Sequence, residues 1–163
     1  MSAGLPRVTR SARETETLGA ALAPALEPGD VVVLCGALGA GKTRFVAGLA
    51  RGLACAARVR SPTFALVHEY RGRLLLAHLD LYRLERGEAE ELGLEEYAER
   101  AVLVVEWGER LPAAWRSNAL RIDFEIGPGV EERGLRATAE GARGQELLAA
   151  WNEVATAVGG EAP

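Results

Sequence analysis

The pattern of hydrophobic and polar positions divides the chain into alternating strands and helices. Two short runs, residues 31–35 and 101–105, are apolar throughout, which is typical of strands buried on both faces of a parallel sheet. Four further runs are rich in β-forming residues or alternate between apolar and polar positions, so they predict partly exposed strands. These runs are residues 65–70, 74–81, 120–126 and 135–140. Short loops containing glycine join them in pairs, so we expect two antiparallel pairs.

Three segments have the spacing of apolar residues that predicts amphipathic helices. The first begins after Ser11, which forms with Glu14 the Ser-x-x-Glu pattern of a capping box. The second covers residues 42–53, and the third covers residues 145–158. Residues 159–163 carry no such pattern and predict a disordered tail.

A glycine-rich segment, Gly-Ala-Leu-Gly-Ala-Gly-Lys-Thr at residues 36–43, lies between the first buried strand and the second helix. It matches the pattern G-x-x-x-x-G-K-[S/T] at every fixed position, and a strand-to-helix turn is the context that a P-loop requires. Its glycines let successive backbone N–H groups curl around an anion, and the following helix adds its positive end. We therefore expect this segment to bind the phosphates of a nucleotide. The expected nucleotide-binding residues are Gly36, Leu38, Gly39, Ala40, Gly41, Lys42, Thr43 and Arg44.

Lys42 and Thr43 carry the charged and hydroxyl groups of this loop. Lys42 can reach the β- and γ-phosphates of ATP, and the Thr43 hydroxyl can ligate a Mg²⁺ ion that bridges the same oxygens. Lys42 is the only lysine in a chain that has 18 arginines. Because a forked guanidinium does not fit a tight phosphate cradle, this single lysine favours a nucleotide site over an accidental glycine-rich turn.

Two acids at the ends of strands are candidates for catalysis and metal binding. Asp80 lies at the end of the run 74–81, and Glu106 directly follows the buried run 101–105. Ligands of open α/β sheets bind outside the carboxyl ends of the strands, so both acids can converge beside the P-loop. They compete for the role of holding Mg²⁺ or its water. His78 lies on the same face as Asp80, where a structural, hydrogen-bonded histidine is commoner than a catalyst.

Two segments leave alternatives open. Residues 61–64, Ser-Pro-Thr-Phe, are kept from being helical by Pro62 and form either an ordinary turn or a mobile switch. In the switch, the Thr63 hydroxyl binds the Mg²⁺ shell or the γ-phosphate when ATP is present. The acidic residues 85–100 form either a solvated helical face or a docking surface for a basic partner.

Composition and charge restrict the class of protein. The chain has 163 residues, of which 48% are hydrophobic and 26% charged, and these values suit one globular domain. A net charge of −4 offers no basic surface, so we expect no direct binding of nucleic acid. No apolar run is long enough to span a membrane, and no secretory signal is visible. The two cysteines lack metal-ligand spacing and fit a reducing cytoplasm, which is the expected location.

The elements together predict an α/β fold with a single P-loop NTPase domain. We expect a mixed, mainly parallel central sheet, additional antiparallel strands, and helices on both faces. The ATPase domain is expected to cover residues 1–158, followed by the tail.

The order and spacing of the motifs resemble the TsaE family (also called YjeE), the small ATPases of bacterial threonylcarbamoyladenosine biosynthesis in tRNA. The resemblance covers residues from about 30 to 110. Its motifs are the P-loop, Ser-Pro-Thr-Phe at 61–64, His-Leu-Asp-Leu-Tyr-Arg-Leu at 78–84, Glu-Glu-Leu-Gly at 90–93 and Val-Glu-Trp at 105–107. Many NTPases share the P-loop, so the four further motifs make the resemblance specific.

The resemblance implies a Mg²⁺-dependent ATPase that works alongside two partners, TsaD and TsaB. Their complex transfers threonylcarbamoyl to the adenosine beside the anticodon, and the ATPase drives its turnover. The resemblance also implies that Lys42 and Thr43 bind phosphate and Mg²⁺ and that Glu106 is a Mg²⁺ carboxylate. It makes Thr63 the switch hydroxyl and Asp80 an acid that orients water or metal.

We expect ATP hydrolysis to be slow in the isolated protein, because no arginine can be assigned as an arginine finger from the sequence. Two other functions could use the same phosphate cradle. One is a small-molecule kinase, which needs a closing lid that the chain does not suggest. The other is a nucleotide-gated binding module with negligible catalysis.

Overall fold

The computed structural model describes residues 1–62, 66–85 and 87–157, with side chains described as far as Val154. The strands in this part of the chain are β1 (Ser2–Ala3), β2 (Arg7–Thr9), β3 (Val31–Cys35), β4 (Val67–Arg71), β5 (Leu75–Asp80), β6 (Ala101–Glu106), β7 (Leu120–Ile126) and β8 (Arg133–Ala139). The helices are α1 (Ala12–Leu22), α2 (Lys42–Gly52), α3 (Ala113–Arg116) and α4 (Gly141–Ala157). Short 3₁₀ turns occur at Ala23–Ala25, Glu88–Glu91, Leu94–Glu96 and Gly108–Arg110.

All these strands join one mixed sheet in the order β1-β8-β7-β3-β6-β5-β4, with β2 also paired to β8. The central strands β7, β3, β6 and β5 are parallel to one another. Strand β4 pairs antiparallel with β5, and β8 pairs antiparallel with β7, β1 and β2. The predicted α/β class with a parallel centre and antiparallel edges is therefore confirmed.

The sheet separates two hydrophobic cores, because successive side chains of a strand point to opposite faces. In β3, Val32 and Leu34 join the core beneath α1, α2 and α4. Val31, Val33 and Cys35 join the second core, which is covered by the 3₁₀ turns at Glu88–Glu91 and Leu94–Glu96 and by residues in and near the short helix α3. In the described parts of the chain, no helix combines the length and the apolar character needed to cross a membrane.

Helices α1 and α2 approach each other closely because glycines lie at their contact. A Cβ atom added at Gly48 would lie 2.0 Å from the carbonyl oxygen of Glu16, and one at Gly19 would lie 2.4 Å from that of Phe45. Phe45 is fully buried in the core below. This tight packing fixes α2, and with it the functional groups in its first turn, over the sheet.

The predicted elements and the observed ones differ in detail. Ser11 Oγ accepts a hydrogen bond from the Glu14 N–H, but the Glu14 carboxylate accepts from the N–H of Arg10 rather than from that of Ser11. Helix α4 begins at Gly141 instead of residue 145. Strands β1 and β2 were not predicted, because two or three residues are too few to show a pattern. Residues 158–163 lie outside the described residues, so the domain end and the tail stay predictions.

The acidic stretch does not form the predicted helical face. It contains two 3₁₀ turns, Glu88–Glu91 and Leu94–Glu96, each preceded by a glycine in the left-handed region. Gly87 has φ 94° and Gly93 has φ 65°, conformations that interrupt an α-helix. The glutamates are exposed while Leu94 is buried in the second core. The docking alternative stays a prediction.

Candidate nucleotide-binding site

The carboxyl ends of three parallel strands and the start of α2 meet at one edge of the sheet. Glu106, the last residue of β6, is paired in register with Leu34 of β3 on one side and with Asp80 of β5 on the other. Strand β3 leads directly into the glycine-rich loop, and α2 begins at Lys42. Both strand-end acids therefore lie beside the loop, as the predicted topology requires.

The loop at residues 36–43 has the backbone of a phosphate nest. Gly36, Gly39 and Gly41 have φ values of 142°, 77° and 103°, which side chains with a Cβ rarely adopt. The N–H of Ala40 donates to the Ala37 carbonyl at 3.2 Å and closes a turn within the loop. Leu38 is 62% exposed at the loop's tip. Such successive backbone groups suit an anion at the start of a helix.

Lys42 is the buried cation of the site, with an exposed fraction of only 4%. Its Nζ donates to the Gly36 carbonyl and, at 2.9 Å, to the Ala37 carbonyl. The same atom lies 4.6 Å from the centre of the Trp107 ring. Burial lowers the pKa of Lys42, and the negative charge of Glu106 partly offsets this shift. Among the described residues, no carboxylate forms a salt bridge with this ammonium group.

Thr43 and Glu106 are in direct contact. The Thr43 Oγ1 donates to Glu106 Oε1 at 2.7 Å, and the Nε2 of His78 lies 2.9 Å from the same oxygen. Glu106 is 4% exposed, and His78 is fully buried. Helix α2, strand β5 and strand β6 thus place a hydroxyl, an imidazole and a carboxylate in one cluster.

Asp80 has different partners. Its Oδ2 accepts from the Ser61 hydroxyl and its Oδ1 accepts from the Tyr82 N–H, both at 2.9 Å. Ser61 is the first residue of the Ser-Pro-Thr-Phe segment, which the sequence predicts to be either an ordinary turn or a switch. Asp80 is therefore hydrogen-bonded to the start of that segment. Thr63, the predicted switch hydroxyl, lies outside the described residues. The hydrogen bonds distinguish the two acids, because Glu106 contacts the P-loop threonine whereas Asp80 holds the neighbouring segment.

Two residues that sequence reasoning did not select brace the site. Arg133 of β8 donates from Nε and Nη2 to the Gly39 carbonyl at 3.2 and 3.1 Å, and from Nη1 to the carbonyls of Val130 and Glu132. Arg133 and Gly39 are 94 residues apart, so no local spacing could have indicated this contact. The guanidinium ties the tip of the P-loop to the β7–β8 hairpin.

Arg110 forms the second brace. Its Nη1 donates to the carbonyls of Leu81, Tyr82 and Leu84, at 3.0, 2.5 and 3.0 Å. The guanidinium lies 5.6 Å from the centre of the Trp107 ring. Trp107 itself has φ 56°, an uncommon conformation for a residue with a side chain. Arg110 therefore links the segment that follows β6 to the segment that follows β5, close to Glu106 and Asp80.

The other predicted residues lie around this cluster. Arg44 points toward α1, where its Nη1 pairs with Glu16 at 2.9 Å, and its side chain is 62% exposed. The described residues contain no group of three or more His, Cys, Asp or Glu side chains arranged to hold a metal. A Mg²⁺ ion that takes most of its ligands from phosphates and waters needs no such group.

Comparisons with known proteins identify the family of the chain. Residues 9–134 match the family model described as "Threonylcarbamoyl adenosine biosynthesis protein TsaE". The chain is 49% identical over 121 residues to the tRNA threonylcarbamoyladenosine biosynthesis protein TsaE of Treponema pallidum, covering 73% of this chain and 90% of the relative. It is 40% identical over 141 residues to the TsaE of Bacillus subtilis, covering 85% of this chain and 88% of the relative.

A solved structure also resembles the fold. The crystal structure of Bacillus subtilis YdiB superimposes with a TM-score of 0.74 at 34% identity, covering 93% of this chain and 95% of that one. The matched residues of the family model include the P-loop and both strand-end acids. The chain therefore belongs to the TsaE family.

Proposed function

We propose that this protein binds and hydrolyses ATP with Mg²⁺ and thereby supports the TsaD–TsaB complex that installs threonylcarbamoyl on the adenosine beside the anticodon of tRNA. The observation that carries the proposal is the 2.7 Å hydrogen bond between Thr43 Oγ1 and Glu106 Oε1. It brings together a hydroxyl and a carboxylate, the two kinds of side chain with which P-loop NTPases hold their Mg²⁺. The family to which the chain belongs supports the role in tRNA modification.

Thr43 and Glu106 would hold the Mg²⁺ ion. Both offer oxygen atoms, the ligands that this hard cation prefers, and phosphates with waters would complete its shell. When bound, Mg²⁺ would neutralise charge that develops on the phosphate oxygens during hydrolysis. The two residues are already in contact, so little rearrangement is needed to present both to one ion.

Lys42 would bind the β- and γ-phosphates. Its ammonium group is removed from water and donates only to carbonyls of its own loop among the described residues. A phosphate is a stronger acceptor for an ammonium group than a carbonyl is, because both partners of the hydrogen bond are then ionised. Lys42 therefore would exchange its loop carbonyls for phosphate oxygens, and the positive-φ loop would add its backbone N–H groups.

Asp80 would orient the attacking water or position the switch. Its contact with Ser61 supports the second role directly, because binding of the γ-phosphate by Thr63 would move the segment that Asp80 holds. Arg44 is paired with Glu16, and Arg133 is bound to a loop carbonyl. Neither is placed as an arginine finger, so we propose slow hydrolysis in isolation and faster hydrolysis when a partner completes the site.

The decisive experiment measures the fate of the γ-phosphate. Purified protein is incubated with γ-labelled ATP, with Mg²⁺ or with excess EDTA, and the label is followed. We expect slow release of inorganic phosphate that requires Mg²⁺. Transfer of the label to a metabolite would instead establish a kinase, and tight ATP binding without any turnover would establish a nucleotide-gated binding module.

A second experiment tests the partners. The hydrolysis rate is measured with and without the TsaD–TsaB complex, because a supplied arginine raises P-loop hydrolysis by about 10³ to 10⁵ in related enzymes. Equal rates would refute activation by the complex. In the same assay, free tRNA without the complex is expected to leave the rate unchanged, since the chain is acidic overall.

A further inference from the structure

His78 is a fully buried imidazole that the proposed chemistry does not yet use. It lies on β5 two residues before Asp80 and on the same face of the sheet. Its Nε2 is 2.9 Å from Glu106 Oε1, across the parallel β5–β6 pair. The ring lies near the edge of the sheet where α2 begins, because His78 is only two residues from the end of β5.

The surroundings of the ring assign its tautomer. An ionised Glu106 carboxylate only accepts hydrogen bonds, so the proton of the His78–Glu106 bond belongs to Nε2. The other nitrogen, Nδ1, is buried and has no hydrogen-bond partner among the described residues. The described residues thus offer an acceptor for a proton on Nε2 and none for a proton on Nδ1. His78 therefore donates one hydrogen bond, and that bond goes to Glu106.

Both described donors to Glu106 converge on one oxygen. Thr43 Oγ1 approaches Oε1 from the first turn of α2, and His78 Nε2 approaches it from β5. A glutamate side chain has three rotatable bonds, and its terminal torsion is broad unless partners fix it. Two donors from rigid elements fix the plane of the carboxylate and direct it relative to the P-loop. If Thr43 turns its hydroxyl oxygen toward a metal ion, His78 remains as the donor that keeps the carboxylate in place.

We infer that His78 is a positioning residue, which holds the Glu106 carboxylate by its single N–H in the orientation needed for Mg²⁺-dependent hydrolysis. This inference rests on the proposed function. It assigns to His78 a role beyond filling space in the core, and the two roles differ in one property. Packing needs the volume of the ring, whereas positioning needs the donor atom.

Three variants separate the donor from the volume. In His78→Gln, the side-chain amide nitrogen can occupy nearly the position of Nε2, so the donor is kept. His78→Leu removes the donor and keeps an apolar side chain of moderate size, and His78→Asn replaces it if the leucine variant does not fold, because its amide is too short to reach. Leu76→Val, on the same strand and the same face, is the matched control for a small packing defect.

Steady-state hydrolysis is measured as a function of Mg²⁺ and of ATP for each variant. Loss of a group that orients a metal ligand typically reduces metal affinity or activity by about 10- to 100-fold. We expect His78→Leu to lower kcat or raise the half-saturating Mg²⁺ concentration by that factor. The dissociation constant for ATP in EDTA should change less than threefold, and His78→Gln should recover most of the loss. Leu76→Val should behave as the wild type.

Two results would overturn the inference while leaving the proposed function intact. One is an active wild type whose Mg²⁺ dependence and kcat are unchanged in His78→Leu. The other is a His78→Gln variant as impaired as His78→Leu at equal thermal stability, since volume would then be the important property. An inactive wild type without Mg²⁺-dependent ATP binding would instead defeat the proposed function itself.

A readout that needs neither nucleotide nor metal completes the test. The ¹⁵N chemical shifts of the imidazole nitrogens of His78 are recorded in the apo protein, with His68→Gln for assignment because the chain has only two histidines. We expect a protonated Nε2 and an unprotonated Nδ1. The Nδ1–H tautomer would mean that His78 does not donate to Glu106, and the inference would fail.

Discussion

The two ends of strand β3 both carry buried charge, but the charge is balanced in opposite ways. Before the strand, Asp30 is 4% exposed. Its two carboxylate oxygens accept hydrogen bonds from Nε and Nη2 of Arg143 at 2.7 and 2.6 Å. The Glu27 N–H donates to it as well. After the strand, Lys42 is equally buried, and among the described residues its ammonium group donates to two carbonyls of its own loop and to no carboxylate.

This difference distinguishes a buried charge that is paired with a counter-ion from one that has no bonded counter-ion among the described residues. Asp30 and Arg143 form an ion pair with each other. The hydrogen bond to Asp30 raises the pKa of Arg143, because each ion stabilises the other. Lys42 bears the cost of burial without a bonded counter-ion, which lowers its pKa. An anionic ligand would supply that counter-ion, so the cost is recovered on binding. The fold thus holds a buried cation at one end of β3 and joins α4 to the sheet at the other.

The largest expected effect follows from removing the functional charge. Lys42→Ala should reduce ATP hydrolysis by about 10³-fold, the scale seen when one preorganised electrostatic group is deleted. Stability to urea should be unchanged or slightly higher, because a desolvated charge is lost. Phosphate release and urea unfolding measure the two quantities, with exposed Arg51→Ala on α2 as the control. Turnover within tenfold of the wild type would contradict the assignment of Lys42.

Removing the structural charge should have the opposite profile. Arg143→Ala leaves the buried Asp30 carboxylate without its cation, and breaking a buried pair costs about 3 kcal/mol. The free energy of unfolding in urea should fall by about that amount, while hydrolysis per folded molecule stays near the wild-type value. The matched control is Arg136→Ala, an exposed arginine on β8. A large loss of hydrolysis in an Arg143→Ala variant of wild-type stability would contradict the purely structural role of Arg143.

A smaller effect is expected at the brace on the loop. Arg133→Ala removes two hydrogen bonds to the Gly39 carbonyl, which lie near the surface and together contribute about 1 kcal/mol. We expect about a fivefold rise in the Kd for ATP. The free energy of unfolding should change by less than it does in Arg143→Ala. Arg133→Lys should recover part of the affinity. Unaltered ATP binding would show that the loop keeps its shape without this contact.

The smallest effect is a dependence of stability on pH. Because the pKa of Lys42 is lower in the folded protein than its ordinary value of 10.5, the unfolded state binds more protons between the two values. The unfolding free energy of the wild type should therefore rise with pH in that window relative to Lys42→Met. Below the folded pKa, both states are charged and the cost is fully present. A stability difference that stays constant up to pH 10.5 would contradict the burial of a charged Lys42.

Much of the site could be predicted from the sequence because its signals are local. The P-loop is defined by eight consecutive residues, and a run of apolar residues that ends in an acid locates Glu106 and Asp80 at strand ends. The acidic stretch was harder, because its glutamates and leucines have helical spacing. Two glycines with positive φ prevent a continuous helix, and the segment forms 3₁₀ turns instead.

By itself, the sequence determined the fold class, the glycine-rich strand-to-helix loop and the family, since each depends on residues close together in the chain or on motifs in a fixed order. Only the tertiary structure decided which acid contacts the P-loop threonine, because Thr43 and Glu106 are 63 residues apart and meet through strand register. It also decided that His78 donates to that acid and that Arg133 holds the loop's tip. Contacts between distant segments depend on how the sheet and α2 pack, which no local pattern encodes.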